Sequence, residues 1–193
     1  MISPIIFPFY ILPLCKLKEE ITYKSYTMSQ VKELSSPIYS FAPIADFRSK
    51  VLIMGTIPGK ESLRMNMYYA HPQNAFWKII FKLHDVPFST DYKDRREMLL
   101  ENRIALWDVL KVCTRRTSLD NDIRMEEPND LDIFLSLHPG ISKIYFNGKV
   151  ASRYFKKYFP NISLPNQALP STSPAHAIKW EHKMEVWQVI KTI

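Results

Sequence analysis

Short, wholly apolar runs alternate along this chain with longer stretches in which apolar residues recur at helical spacing. Four runs read as strands: "KVLIMG" (50–55), "RIALWDVL" (103–110), "KIYFNG" (143–148) and the weaker "NQALPS" (166–171). Runs without polar alternation suit strands covered on both faces. Between them, Ala75, Phe76, Ile79, Ile80 and Leu83 form one helical stripe. "DYKDRREMLLENR" (91–103) predicts an exposed helix with one apolar edge. "NDLDIFLSLHPG" (129–140) predicts a helix capped by Asn129 and ended near Gly140. "GKVASRYFKKYF" (148–159) and "KWEHKMEVWQVIKTI" (179–193) complete the set. Strand and helix alternate, so the expected fold class is α/β, layered around a mainly parallel four-stranded sheet.

That fold says where to look for chemistry, because ligands of open α/β sheets bind beyond the carboxyl ends of the strands. The segments there are "GTIPGK" (55–60), the end of "RIALWDVL", "FNGK" (146–149) and "LPSTSPAHA" (169–177). In Gly55, Thr56, Ile57, Pro58 and Gly59, glycine permits close backbone approach and proline stiffens the turn. The segment is either a binding turn or a plain strand-to-helix connection. It matches neither a Walker A loop nor a GxGxxG fingerprint, which argues against a nucleoside-triphosphate enzyme. In "YYAHPQNAFW" (68–77), flat side chains stand beside a carboxamide. Tyr69 and Phe76 could stack on a planar heterocycle or simply pack in the core. Asn74 could read a base edge, position a water, or start the helix that follows. Ser171, Thr172 and Ser173 suit phosphate oxygens, or cap the last helix. Lys60, Arg64, Lys149, Arg153, Lys156 and Lys157 could add phosphate contacts.

Composition narrows the classes. The 193 residues, 46% hydrophobic and 23% charged, fit a globular domain. A formal net charge of +7 is compatible with a polyanionic partner. Two cysteines cannot build a disulfide framework, an iron–sulfur cluster or a four-cysteine zinc site, and the five histidines show no metal-binding spacing. No metal and no cofactor are expected. The prolines and the short length of "MISPIIFPFYILPLC" argue against a membrane span, and it lacks the basic start of a signal peptide. Residues 1–34 are therefore expected to form an N-terminal extension to a domain over 35–193, with translation starting at Met28.

Taken together, "GTIPG…YYAHPQNAFW", "ALWDVL…SLDNDI", "FNGKVASRYF" and "LPSTSPAHA" resemble the hypoxanthine-DNA glycosylase (DNA-deoxyinosine glycosylase) branch of the uracil-DNA glycosylase superfamily, over about Ile38 to Ile193. They are also similar, more distantly, to the mismatch-specific uracil-DNA glycosylases. The resemblance implies a three-layer α/β/α domain and hydrolysis of the N-glycosidic bond of an extruded, deaminated base, without metal or cofactor. Hypoxanthine is the expected base. A uracil preference, or a non-catalytic DNA-binding module on the same fold, is the alternative. The partner would be double- or single-stranded DNA, and the protein an intracellular monomer that meets no membrane.

The resemblance also implies residue roles. Relatives usually carry Asp or Asn where this chain has Ile57, which can neither hydrogen-bond nor act as a base. The water would then fall to Asn74, which can orient it but not deprotonate it. Gly55, Thr56, Ile57, Pro58, Gly59, Tyr69, Phe76 and Asp108 would form the base pocket, Asp108 as reader of a base N–H or as a structural cap. Lys60, Ser171, Thr172, Ser173, Pro174, Ala175 and His176 would contact DNA. An unrelated hydrolase is disfavoured, because no nucleophile elbow or Ser/His/Asp pattern occurs.

Overall fold

The computed structural model describes residues 36–117 and 119–192; the expectation for residues 1–34 lies outside them. Four strands, β2 (Val51–Gly55), β3 (Ile104–Asp108), β6 (Lys143–Asn147) and β7 (Asn166–Leu169), form one sheet in the order β3-β2-β6-β7. Every pairing in it is parallel. All four apolar runs thus supply a strand to the expected kind of sheet.

The residues of β2 are buried throughout because alternate side chains enter different cores. Val51 and Ile53 join Ile104, Leu106 and Tyr145 on one face. Leu52 and Met54 join Ala105, Trp107, Ile144 and Phe146 on the other. This period-two division makes three layers from one continuous apolar run. Helix α2 (Phe76–Leu83) buries Phe76, Trp77, Ile79, Ile80, Phe81 and Leu83 in the first core. Each such side chain contributes about 1.5–3 kcal/mol by leaving water. Helix α3 (Tyr92–Glu101) and helix α6 (Trp180–Trp187) add Met98, Leu99 and Trp187 to the same core. Helix α4 (Leu131–Leu137) and helix α5 (Lys149–Tyr158) cover the other face through Leu131, Phe134, Ala151, Tyr154 and Phe155. A short α1 (Lys60–Met65) follows the 55–59 turn.

Two features depart from the sequence expectation. The run 103–110 is not one strand. It breaks after Asp108, and β4 (Leu110–Thr114) joins β1 (Ile38–Tyr39) and β5 (Arg124–Pro128) in a separate antiparallel ribbon, ordered β1-β4-β5. Asn129 does not cap α4, whose N-cap is Asp130. Its buried amide instead donates to the carbonyls of Asp108 (2.9 Å) and Leu110 (3.0 Å), satisfying backbone oxygens freed where the chain changes sheets. The outer edge of β3 is closed by Ile44, which exchanges backbone hydrogen bonds with Leu106 at 2.8 and 2.9 Å.

Strand register brings the carboxyl ends together. Gly55 pairs with Asp108, and Asn147 with Leu169. All four border one cleft.

Candidate active site

The cleft has a volume of about 990 Å³. Every residue expected to hold the water, form the base pocket or contact DNA lines it except Phe76; of the further cations raised as phosphate contacts, Lys149 lines it and Arg64, Arg153, Lys156 and Lys157 do not. Its floor begins at Gly55, whose carbonyl accepts from the Val109 N–H at 2.9 Å, while the Thr56 carbonyl accepts from Leu110 at 3.1 Å. A Cβ at Gly55 would stand 2.4 Å from Asp108 Oδ1 and 2.8 Å from Tyr69 Oη. Glycine is needed here to admit the two oxygens, not for an unusual dihedral. Ile57 is buried in the second core, so its side chain supports the turn from below.

Asp108 ends β3 almost wholly buried. Burial pushes its carboxyl up to about 7; the hydroxyl of Ser40, donating to Oδ2 at 3.1 Å, and the cation of Arg115 oppose the rise, while the nearby Asp120 carboxylate adds to it. A carboxyl poised near neutral pH in a cleft is a group able to change its hydrogen-bonding role under working conditions.

Tyr69 adopts a left-handed backbone (φ 52°), a conformation that bulky residues adopt at a cost. Its ring stacks on Phe76, with centroids 4.2 Å apart and planes at 29°. Its hydroxyl is buried without a hydrogen-bond partner. Burial, with Asp108 adding, holds the phenol well above its ordinary range, and the Asn147 amide only partly offsets this. The expectation that Phe76 forms a pocket wall is corrected: its ring is fully buried and reaches the cleft only by supporting Tyr69. The stripe that starts α2 turns it into the core.

Asn74 precedes α2, and of its expected uses the helix-start bond is seen. Its Oδ1 accepts the N–H of Phe76 at 3.0 Å, satisfying one of the unpaired donors of the helix start. That bond turns the carboxamide and leaves its NH₂ group to donate elsewhere.

The 169–177 segment forms the facing rim. Thr172 is fully buried, and its expected contact with phosphate is corrected. Its hydroxyl accepts from Asn147 Nδ2, and its N–H donates to Asn147 Oδ1, both at 2.8 Å. Its carbonyl accepts from Ala75 N–H at 3.0 Å. Thr172 thus ties the rim to β6 and to α2. Ser171 and Ser173 are half-buried, while Pro174, Ala175 and His176 are exposed. Lys60 is exposed at the opposite rim.

Sequence reasoning assigned no role to four residues that shape this cleft. Ser40 holds Asp108. Asn147 holds Thr172; its motif "FNGK" stands at a strand end, where nothing in the sequence gives the amide a role. Arg115, nearly fully buried, donates to the Pro58 carbonyl and faces Asp120 across 3.9 Å. Asp120 lies half-buried in the cleft, accepting from the Thr56 hydroxyl at 3.2 Å. No local spacing announces Arg115 or Ser40, since each acts across more than fifty residues of chain.

Comparison with known proteins fits this geometry. Residues 42–193 match the family model described as the uracil DNA glycosylase superfamily. A hypoxanthine DNA glycosylase of Methanosarcina acetivorans is 31% identical over 155 residues, covering 78% of this chain and 95% of that protein. Its namesake in Methanosarcina barkeri is 37% identical over 116 residues, covering 59% and 73%. The solution NMR structure of a candidate uracil DNA glycosylase from M. acetivorans superposes with a TM-score of 0.70 at 29% identity, covering 80% of this chain and 99% of that one.

Proposed function

We propose a reaction course from one premise: this chain belongs to the uracil DNA glycosylase superfamily and is a DNA glycosylase. The base removed is hypoxanthine. The names of the Methanosarcina relatives support this reading, and the observation that carries it is the buried Asp108 carboxyl beside Gly55. Hypoxanthine presents an N1–H donor where adenine, its parent, presents a bare N1 acceptor. An ionised carboxylate accepts from the former and repels the latter, so one group both selects the damaged base and rejects the normal one.

A base inside a duplex cannot reach such a floor, so the nucleotide is extruded into the cleft, and a mispaired base is extruded at least cost. Tyr69, braced by Phe76, forms a flat wall for it. The glycosidic bond then breaks toward an oxocarbenium-like sugar, and the bonding pair leaves with the base. Asn74 holds the water that adds to the sugar. Its amide donates to the water oxygen, and a second lone pair on its own Oδ1 can accept; it orients and does not deprotonate. The amino end of α5, which opens into the cleft at Gly148, Lys149 and Val150, favours negative charge there.

The exposed rim residues Lys60, Pro174, Ala175 and His176, with Ser171 and Ser173 behind them, contact the DNA backbone, while Thr172 braces their loop. The protein works as a monomer, inside the cell, on duplex or single-stranded DNA and without a cofactor. Among the described residues no helix is long and apolar enough to cross a membrane.

The test is excision from oligonucleotides carrying a single deoxyinosine, deoxyuridine or deoxyxanthosine, with abasic sites then cleaved by alkali. Deoxyinosine should be the fastest substrate under single-turnover conditions. A faster release of uracil would overturn the assignment of hypoxanthine.

A further inference from the structure

The 55–59 turn lacks a polar side chain at Ile57, yet a carboxylate stands over that turn in space. Asp120 reaches it from the connection between β4 and β5. Thr56, one residue before Ile57, donates its hydroxyl to Asp120 Oδ2 at 3.2 Å. Arg115, buried beneath, binds the Pro58 carbonyl and faces Asp120 Oδ1 at 3.9 Å. The turn on both sides of Ile57 is therefore tied to one acidic side chain. That side chain is half-buried and lines the cleft with Asn74, Asp108 and Gly55.

A carboxylate in this place needs a reason. The cleft faces a polyanion, and an unneeded negative charge there weakens association. Desolvation raises the Asp120 carboxyl, with the Thr56 bond, Arg115 and Arg153 opposing, so the folded protein sustains the group under unfavourable conditions. Its nearest polar partners are Thr56 of the turn and Arg115 beneath it, and the carboxylate still lines the cleft.

We propose that Asp120 is a catalytic carboxylate of the glycosylase reaction, supplying across space the acid that the turn lacks at Ile57. This rests on the glycosylase reading above but not on the identity of the base. The C1′–N bond breaks and its electron pair leaves with the base. The sugar cation that forms is stabilised by the Asp120 carboxylate. The water held by Asn74 adds its oxygen to C1′ and yields a proton to Asp120, which passes it to solvent. The departing base anion takes up a proton from solvent. No oxidant, reductant or metal enters the balance.

The test measures single-turnover excision on whichever of deoxyinosine, deoxyuridine or deoxyxanthosine the unsubstituted protein releases fastest. A preference for uracil or xanthine thus overturns the hypoxanthine assignment and leaves this experiment intact. Asp120→Asn keeps the shape and the acceptor for Thr56, and should lower the rate by about 100-fold, the scale of general acid–base catalysis. DNA affinity should be unchanged or tighter, because an anion has been removed. Asp120→Ala should be similarly slow and should regain rate several-fold in sodium formate, a small carboxylate able to enter the vacated space. Formate would not restore a merely structural contact. An Asp120→Asn rate within about threefold of the parent would overturn the proposal, as would an Asp120→Ala rate that formate leaves unchanged. Should both variants unfold, Thr56→Val decides: removal of the orienting hydroxyl is expected to slow excision several-fold, and an unchanged rate would overturn the proposal.

Discussion

The two walls of the cleft are built to different standards of rigidity. On one side, residues 55–58 are buried, and the carbonyls of Gly55, Thr56 and Pro58 are taken by Val109, Leu110 and Arg115. On the other, the 169–177 segment is fastened at separate points, near its start and again at the His176 carbonyl, which accepts from Lys183 Nζ at 3.0 Å. Trp187 donates to the Pro170 carbonyl at 2.9 Å, and Asn147 grips Thr172 at both hydrogen-bonding groups. Beyond Ser173 the segment lies at the surface. The first wall suits chemistry, which tolerates little displacement of its groups. The second suits a long, uniform polyanion, which many small contacts can hold. Substitutions in the first wall should act on the rate or on the fold; substitutions at the tip of the second should act on affinity alone.

The largest effect is expected at Asn74, where the rigid wall meets the water. Asn74→Ala should lower single-turnover excision by about 10²–10³-fold, the loss typical of one preorganised hydrogen-bonding group, with DNA affinity nearly unchanged. It also removes the bond to Phe76 N–H at the start of α2, costing about 1 kcal/mol of stability, which a denaturation curve would show. A near-parental rate would mean that the water is held elsewhere.

Asp108 makes the rigid wall sensitive to pH. Its folded value of about 7 lies above its ordinary value of 3.8, so the folded state keeps this proton where the unfolded state has lost it. The contribution is full below pH 3.8 and is lost as pH rises toward and through 7. At about 1.4 kcal/mol per unit, the span amounts to a few kcal/mol. Asp108→Asn, which preserves an acceptor for Ser40, should be more stable than the parent at pH 8, and its stability should vary less between pH 5 and pH 8, as read from urea midpoints. If the two proteins respond identically to pH, the carboxyl is not desolvated as described.

Packing at the two roots is the next contrast. Gly55→Ala would drive a methyl group against Asp108 Oδ1 and Tyr69 Oη, costing about 1–3 kcal/mol of stability. Thr172→Val retains the shape but leaves Asn147 Nδ2 without its acceptor, costing about 1–3 kcal/mol. Excision at a temperature where both variants are folded separates them. Gly55→Ala should also lose rate, since it displaces the pocket floor, while Thr172→Val should chiefly weaken DNA binding. Equal effects on rate would erase the distinction between the walls.

Legibility in the sequence follows the range of each interaction. The parallel sheet could be read because β2, β3 and β6 are buried on both faces and so carry unbroken apolar runs. The ribbon β1-β4-β5 could not. Its strands are half-exposed, and β4 follows β3 after a single residue, so Val109 and Leu110 read as more of the same run. The membership of the cleft was legible from strand ends and from the resemblance, which together named Gly55, Asn74, Asp108 and the 171–176 segment. Orientation was not. Phe76 and Thr172 carry the right chemistry for a pocket, but α2 packs one into the core and Asn147 draws the other inward. Ser40 and Arg115 reach the site through tertiary contacts, and nothing local marks them; Asp120 lies in the quoted "SLDNDI", but its place in the cleft is set by a tertiary contact with Thr56.

The smallest expected effect lies at the rim. Lys60 follows the 55–59 turn directly, yet its side chain is exposed at the mouth of the cleft. Its position in the chain belongs to the rigid wall and its surroundings to the loose one, so it tests which of the two decides. If surroundings decide, Lys60→Ala should weaken DNA binding only a few-fold, equally for damaged and undamaged oligonucleotides, and should reduce the slope of log affinity against log salt by about one. The single-turnover rate at saturating enzyme should not change, because a phosphate contact made equally before and during bond breaking does not lower the barrier. A loss of rate at saturation, with the salt slope intact, would place Lys60 with the chemistry and move the boundary between the walls to the far side of α1.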